Sequence, residues 1–286
     1  MSFTKVAENG DVILKRATLD WIPKDTEVSN IEDAKAQGKQ VVTILDVETT
    51  GLLPDKDKII DIGLLAMTMK DNKFIGKIGY KSCYNDPHFP LNDTIKALTG
   101  IKDEDLKGHS LPVEDIHKVL EDSDYVLAHN ASFDRKFCRA AGLDSINNKW
   151  LCSITFIDWL MDFGFSSSKL ELLSHFHGYY VGAHRALEDV IATTYLLMQE
   201  NEGKTYMESL MENANKTWYL VRATSAPYSS KDILKNNGYR WDPGLKVWSK
   251  LTPNRSEEVI FLSNQVYKGS NRSTVEIVPL ERMFLD

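Results

Sequence analysis

Apolar and polar positions fall into blocks that read as strands early in the chain and as helices later. Val41-Val42-Thr43-Ile44-Leu45 is a short, nearly unbroken apolar run ending in acidic and turn residues, the pattern of a strand buried on both faces. Residues 59–69 and 74–83 are apolar and rich in strand formers, and Lys70-Asp71-Asn72-Lys73 between them signals a hairpin. Residues 112–120 predict a helix, and Tyr125-Val126-Leu127-Ala128 another buried strand. A helix over 133–141 follows, stopped by Gly142, then helical patterns over 155–162 and 169–176. The last long helix covers 186–199, with Leu187, Ile191 and Thr194-Tyr195 repeating on one face. Hairpin strands followed by alternating helix and strand predict an α/β domain, a mixed sheet with helices on both faces. Residues 1–40 are polar and mixed, with a short strand expected at Val12-Ile13-Leu14, and read as an extension packed on that domain.

A second pattern begins after the polar segments 201–204 and 212–216. It holds a strand over 218–223, a helix over 231–236, aromatic strands around Trp241 and Trp248 with the turn Asp242-Pro243-Gly244 between them, a helix over 257–267 and a strand over 275–278. The expected organisation is therefore an extension (1–40), an α/β domain (41–212) and a small αβ module (213–286).

Composition adds two constraints. The 286 residues exceed one ordinary domain, and an apolar content of 42% supports a real core. No apolar run approaches the ~18 residues of a membrane span, and the first ten residues lack the apolar core of a signal peptide. Cys83, Cys138 and Cys152 are widely spaced and form no Cys-x-x-Cys pair, so neither a disulfide framework nor a zinc ribbon is expected. A cytoplasmic protein without membrane partners follows as the expectation. The net charge of −7 argues weakly against a nucleic-acid ligand. Its distribution changes that: 216–286 carries 11 basic and 7 acidic residues, a balance of +4, and the rest of the chain one of −11. An acidic domain still grips a polyanion when divalent cations sit in its cleft and a basic module lies nearby.

Three acidic segments carry the candidate chemistry. Asp46-Val47-Glu48-Thr49-Thr50-Gly51 directly follows the first buried strand, and the two carboxylates, two residues apart, leave the same strand face. Side by side they repel, and they suit a hard cation such as Mg²⁺ or Mn²⁺; a solvated loop is the other outcome. Gly51 lets the backbone approach a ligand closely. His129-Asn130-Ala131-Ser132-Phe133-Asp134 also follows a buried strand and opens a helix. Asp134 is either a third carboxylate at the same sheet edge or a first-turn acid behind a Ser132 N-cap. Ala183-His184-Arg185-Ala186-Leu187-Glu188-Asp189 opens the last long helix, with His184 free to lean over the cleft and Asp189 pointing inward.

In this order and context the segments resemble the DEDDh exonuclease family, which includes the proofreading subunit of bacterial DNA polymerase III and ribonuclease T. Its pattern is Asp-x-Glu-Thr-Thr-Gly, then His-Asn-x-x-Phe-Asp, then His with Asp five residues later, and all three parts are intact here. Leu98–Glu104 in part matches the family's Gly-Ile-Thr segment, with Lys102 where Thr is usual. The Tyr of the sister branch would stand at Arg185, so the His branch applies. The resemblance covers about 41–198. It implies a ribonuclease H-like fold and a 3′–5′ exonuclease that releases nucleoside monophosphates. Asp46, Glu48, Asp134 and Asp189 would hold two divalent ions about 3.5–4 Å apart, Asp46 bridging them, and His184 would be the general base. It also implies a terminal-nucleotide pocket from Thr49, Thr50, Gly51, Leu52, His129, Asn130 and Phe133, although Phe133 serves a core equally well.

The partner implied is a nucleic acid with a free 3′ end, in the service of a polymerase or a repair pathway. DNA with single-stranded ends is the substrate expected; an exoribonuclease of the same chemistry and a non-catalytic binding protein are the rivals. The second module resembles small Lys-x-x-Gly-x-x-Trp-Asp-x-x-x-Lys-x-Trp units appended to DNA-processing enzymes. Its Trp241 and Trp248 either stack bases or form the core of a domain too small to spare them.

Overall fold

The computed structural model describes residues 13–182 and 184–285. The chain divides into two compact units: one runs to Ala214 and takes in the chain end from Met283, and the other is Asn215–Arg282.

In the first unit, β1 (Lys15–Arg16) and α1 (Ile31–Ala36) precede three long strands, β2 (Gln40–Thr49), β3 (Ile59–Lys70) and β4 (Lys73–Tyr84). Then come α2 (Asp93–Thr99), α3 (Asp103–Leu106), α4 (Val113–Asp122), β5 (Tyr125–Ala128) and α5 (Ala131–Ala140). After them come β6 (Trp150–Cys152), α6 (Ser153–Phe156), α7 (Leu170–Phe176), β7 (Tyr179–Tyr180) and α8 (Ala186–Met198). A small ribbon, β8 (Glu200–Asn201) and β9 (Lys204–Thr205), leads into α9 (Tyr206–Ala214).

The main sheet has the order β4-β3-β2-β5-β6, antiparallel from β4 to β2 and parallel from β2 to β6. The apolar run of β2 is central, and Val41 to Leu45 are each at most 1% exposed. The β3–β4 turn is tight because Asp71 and Asn72 take φ of 50° and 63°, the left-handed values such a two-residue hairpin needs. The extension covers the β4 edge: Lys77 donates to Pro23 O (2.7 Å) and Asp25 donates to Lys77 O (3.1 Å).

Three expectations need correction here. Val12 lies outside the described residues, and the early strand is Lys15–Arg16, paired in parallel with β7. The helix expected over 155–162 is one turn, because Ile157 becomes extended (φ −125°, ψ 121°) and enters the core with Trp159. Residues 206–214, where no element was expected, form α9, whose Tyr206 packs its ring edge against Trp159 (4.9 Å).

The second unit is a four-stranded antiparallel sheet, β11-β12-β10-β13, with two helices. Its elements run β10 (Tyr219–Ala223), α10 (Lys231–Asn236), β11 (Arg240–Asp242), β12 (Val247–Thr252), α11 (Arg255–Phe261) and β13 (Thr274–Ile277). The helix expected over 257–267 loosens after Phe261 into a π turn, Leu262–Val266, which keeps both Leu262 and Val266 in the core. Val221, Ala223, Leu234 and Tyr239 complete that core, with Trp248 packed against it. Trp241 pairs with Trp248 across the strands, ring centroids 5.6 Å apart, and remains 48% exposed. The two rings therefore divide between core and surface.

Candidate active site

The C-terminal half of β2 outruns its neighbour. β5 pairs with β2 only as far as Ile44, so on that side the amide of Val47 has no strand partner. Asp134, in the first turn of α5, takes its place: Val47 N donates to Asp134 Oδ1 at 3.2 Å. That hydrogen bond draws the carboxylate inward, to 2% exposure, between Asp46 and Glu48 in sequence register. The expected Ser132 cap is not formed; Asn130 is the N-cap residue, and the Ser132 hydroxyl donates to Asn130 Oδ1 (2.9 Å).

From the other side comes α8. Asp46 lies opposite Gly63 on β3, and an ideal Cβ at Gly63 would stand 2.5 Å from Leu187 N and 2.6 Å from Ala186 C. The first turn of α8 thus rests directly on the β3 backbone, a closeness only glycine permits. Asp189 follows within that turn. The ligand atoms of Glu48, His184 and Asp189 all lie within 4.8 Å of one another. His184 is exposed and holds φ of 59° in the left-handed region.

The electrostatics are those of crowded carboxylates. Burial pushes Asp46 well above the usual carboxylate range, and the charges of Asp134, Asp189 and Glu48 push it further. Glu48 is pushed up to about 8, first by burial and then by Asp189, Asp61 and Asp134, with Arg185 opposing. Burial raises Asp134 to about 7 against the pull of the Val47 amide. Asp189 also rises to about 7, by burial and then by Glu188 and Glu171. Four acids in one place with raised proton affinity are a donor set that a divalent cation relieves, and all-oxygen donors match a hard ion.

The expected nucleotide-contacting residues separate into two groups. Leu52 is 79% exposed, and Asn130 is exposed too. Phe133 is half-buried, its ring 4.8 Å from that of Phe137. Thr49 and Thr50 are buried, and their hydroxyls bond to Gly51 O and Asp57 Oδ1. The space beside Gly51 is taken by the Asp57 carboxylate, which a Cβ would meet at 2.5 Å and which anchors the loop through Leu53 N (2.8 Å). No side chain larger than that of Gly51 fits beside Asp57 in this loop. His129 is 8% exposed, its Nε2 bonds Ser168 O (2.8 Å) and its Nδ1 the Ser153 hydroxyl. Burial lowers its pKa to about 4, which keeps the ring neutral at pH 7. Gly63 and Asp61, on β3 opposite Asp46 and Glu48, are site-building residues that no local motif announced.

Known proteins share both sequence and fold with this chain. A family model for exonucleases, of the RNase T type, matches residues 43–197, more than half of the chain. A PolC-type DNA polymerase III of Bacillus subtilis (strain 168) is 31% identical over 226 residues, 74% of this chain and 15% of that protein. Its counterpart in Listeria monocytogenes is 35% identical over 161 residues, 54% of this chain and 11% of that protein. The chain thus spans less than a fifth of either relative. Among solved structures, exonuclease I superposes with a TM-score of 0.52 at 16% identity, covering 85% of this chain and 63% of its own. Escherichia coli exonuclease I in complex with a dA16 oligonucleotide gives 0.51 at 16% identity, with 85% and 64% covered. At such identity the likeness is one of fold, a mixed sheet flanked by helices. With the match over 43–197, it follows that this chain belongs to the exonuclease family and is a hydrolytic enzyme.

Proposed function

We propose that the chain is a metal-dependent 3′–5′ exonuclease that removes nucleoside monophosphates from DNA, single-stranded ends being favoured. The observation that carries this reading is the convergence of Glu48, His184 and Asp189 within 4.8 Å, at a sheet end that Asp46 and Asp134 complete. Asp46, Glu48, Asp134 and Asp189 would hold Mg²⁺ or Mn²⁺, two ions in the reading of the family pattern. Such ions lower the pKa of water and stabilise charge on phosphorus and the leaving oxygen.

The chain's own part is binding, orientation and proton transfer. His184 stands exposed beside Glu48 and Asp189, where a ring nitrogen takes the proton from the attacking water. Hard ions prefer the carboxylates, which leaves the imidazole for the proton. Leu52 and Asn130, both exposed, meet the terminal nucleotide, with Phe133 beside them. The domain over 41–212 thus does the chemistry, while the basic module over 213–286 guides the strand. The exposed Trp241, between the exposed Arg240 and Lys246 in the same hairpin, supports that role by offering a stacking face beside phosphate-binding charge. The relatives are PolC-type DNA polymerases III, which supports a proofreading or repair setting.

The test uses the full chain with oligonucleotides labelled at the 3′ or the 5′ end, as DNA and as RNA, with Mg²⁺ or EDTA. Mononucleotides released first from the 3′ label, from DNA, only with the ion and not by Asp189→Asn, are the expected result. Release from RNA alone, or release that persists in EDTA, would overturn it.

A further inference from the structure

Arg185 follows His184 and precedes α8, and neither the metal set nor the nucleotide pocket uses it. Among the described residues of the loop its side chain is nonetheless firmly engaged. Its Nε donates to Asp61 Oδ2 at 3.3 Å, its Nη2 donates to the Tyr84 hydroxyl, and its guanidinium carbon lies 5.2 Å from the centre of the Tyr84 ring. Asp61 and Tyr84 face each other across β3 and β4, so both arms of the grip stand on the rigid hairpin of the main sheet. Asp61 is also the cross-strand partner of Glu48. Its side chain is 1% exposed, and Arg185 is the cation paired with it, while the backbone amides of Ala186 and Ile62 also favour its charged form. Burial pushes Asp61 up from the usual carboxylate range, and Arg185 opposes the shift. Tyr84 is steadied in turn by the edge of His109 at 5.9 Å.

The residue before this grip is the one that needs it. His184 is not glycine, yet it holds φ of 59°, in the left-handed region that non-glycine residues adopt uncommonly, so its place in the loop is a specific one. Upstream the loop is tied too: β7 pairs with β1, and Gly182 N donates to Glu188 Oε2 at 3.0 Å. The loop is therefore pinned on both sides of an exposed imidazole.

We propose that Arg185, locked by Asp61 and Tyr84, is a positioning residue that holds the left-handed His184 over the Glu48–Asp189 pair. The inference rests on the exonuclease reading for its kinetic test, and on geometry alone for its structural one. An exposed loop residue held only by its own backbone would sample other orientations, and a base displaced by about 1 Å loses up to two orders of magnitude in rate. A guanidinium is needed because the grip uses two donors and a stacking face at once, which an ammonium cannot match.

The experiment is a double-mutant cycle on the full chain with a 3′-labelled DNA oligonucleotide in Mg²⁺, comparing Arg185→Ala and Tyr84→Phe in the wild-type and His184→Ala backgrounds. Arg185→Ala strips a buried carboxylate of its cation and can cost the fold, so Tyr84→Phe, which removes only a hydroxyl, is the second arm. A residue acting through His184 lowers kcat, by about 10–100-fold for Arg185→Ala and several-fold for Tyr84→Phe, leaves KM in place and has no further effect once His184 is gone. Losses that multiply in the His184→Ala background, or a raised KM with unchanged kcat, would show Arg185 touching substrate instead and overturn the proposal. Imidazole NMR signals of the metal-free protein, with His184 assigned by its own variant, give a readout independent of turnover. Both substitutions should move the His184 signal toward that of a free side chain, and an unmoved signal overturns the clamp. If the wild type releases no nucleotide, the exonuclease reading falls and the spectra decide the clamp.

Discussion

Gly63→Ala adds one methyl group between the central sheet and the helix that carries Asp189, and its effect can be worked from the distances there. The new Cβ would lie 2.5 Å from Leu187 N, 2.6 Å from Ala186 C and 2.7 Å from Ala186 O, all backbone atoms, so no side-chain rotation relieves the clash. Ordinary contact begins at 3.4 Å, so the start of α8 must retreat from the sheet by about 0.9 Å. Asp189 moves with it, away from Asp46 and Glu48 on the neighbouring strand. A misplacement of about 1 Å costs on the order of 10²-fold in turnover, and an overpacked core methyl costs about 1–3 kcal/mol of stability. The assay is kcat and KM on a 3′-labelled oligonucleotide, with Mn²⁺ affinity by calorimetry and thermal unfolding on the same preparations. Gly79→Ala is the control, since Gly79 lies in the same hairpin and a Cβ there meets nothing within 4 Å. We expect Gly63→Ala to lose most of its turnover and some metal affinity while Gly79→Ala keeps both. Wild-type kcat in Gly63→Ala, or an equal loss in Gly79→Ala, would refute the account of how the site is assembled.

Four further outcomes are expected. His184→Ala should lower kcat by about 10²–10⁴-fold with metal affinity nearly unchanged, and a wild-type pH–rate profile would remove it from the mechanism. Without divalent ions, stability should fall as pH rises from about 6.5 to about 8. There the unfolded chain has already lost its carboxyl protons, whereas Glu48, Asp134 and Asp189, raised to about 8, 7 and 7, still hold theirs when folded. The buried neutral His129 and His177 act in the opposite sense but only below that window, so a flat or rising urea midpoint in EDTA contradicts the cluster's electrostatics. Deleting the chain end from Met283 removes an acceptor, 2.6 Å away, from the fully buried Arg135 guanidinium and should cost about 1–3 kcal/mol, read by urea unfolding. Replacing Arg240 and Lys246 by Gln should reduce the salt dependence of single-strand binding by roughly 0.7 log units per decade for each phosphate no longer neutralised, measured by anisotropy in Ca²⁺.

The sequence exposes the reactive residues better than it exposes their supports. Asp46 and Glu48 are legible because a hydrophobic strand ending in alternate acids has few structural uses, and Asp189 because it follows a histidine at the opening of a long helix. What fixes these side chains is set by tertiary distance. Gly63 looks like any small residue in a β-rich run until α8 is laid against it, and Asp61 and Arg185 lie 124 residues apart. His129 opens the second motif, and nothing in the sequence signals that Ser153 and Ser168 engage both its ring nitrogens. The single turn of α6 escaped because the apolar spacing over 155–162 fits a helix equally well, and burial of Ile157 and Trp159 decides against it. In the second unit the aromatic pattern located the strands but could not say which ring lies inside, since Trp241 and Trp248 share a face and differ only in distance from the sheet edge.

The site's charge explains why so much of the fold is spent on holding it. Carboxylates that repel would separate if their backbones were free, each lowering its own proton affinity by reaching water. Here each is tied by something other than its own charge. Asp46 and Glu48 are fixed by ten residues of paired strand, Asp134 by the amide that β5 leaves unpaired, and Asp189 by a helix seated on glycine. The repulsion therefore persists as raised proton affinity rather than relaxing as motion, and under the proposed function a divalent ion would meet ligands already in place. Arg185 stands beside this group, bound to Asp61 rather than to the four acids, so it tempers Glu48 without neutralising the site. A cation locked inside the cluster would compete with the metal; one locked to the strand behind it steadies the loop and leaves the acids open to the ion.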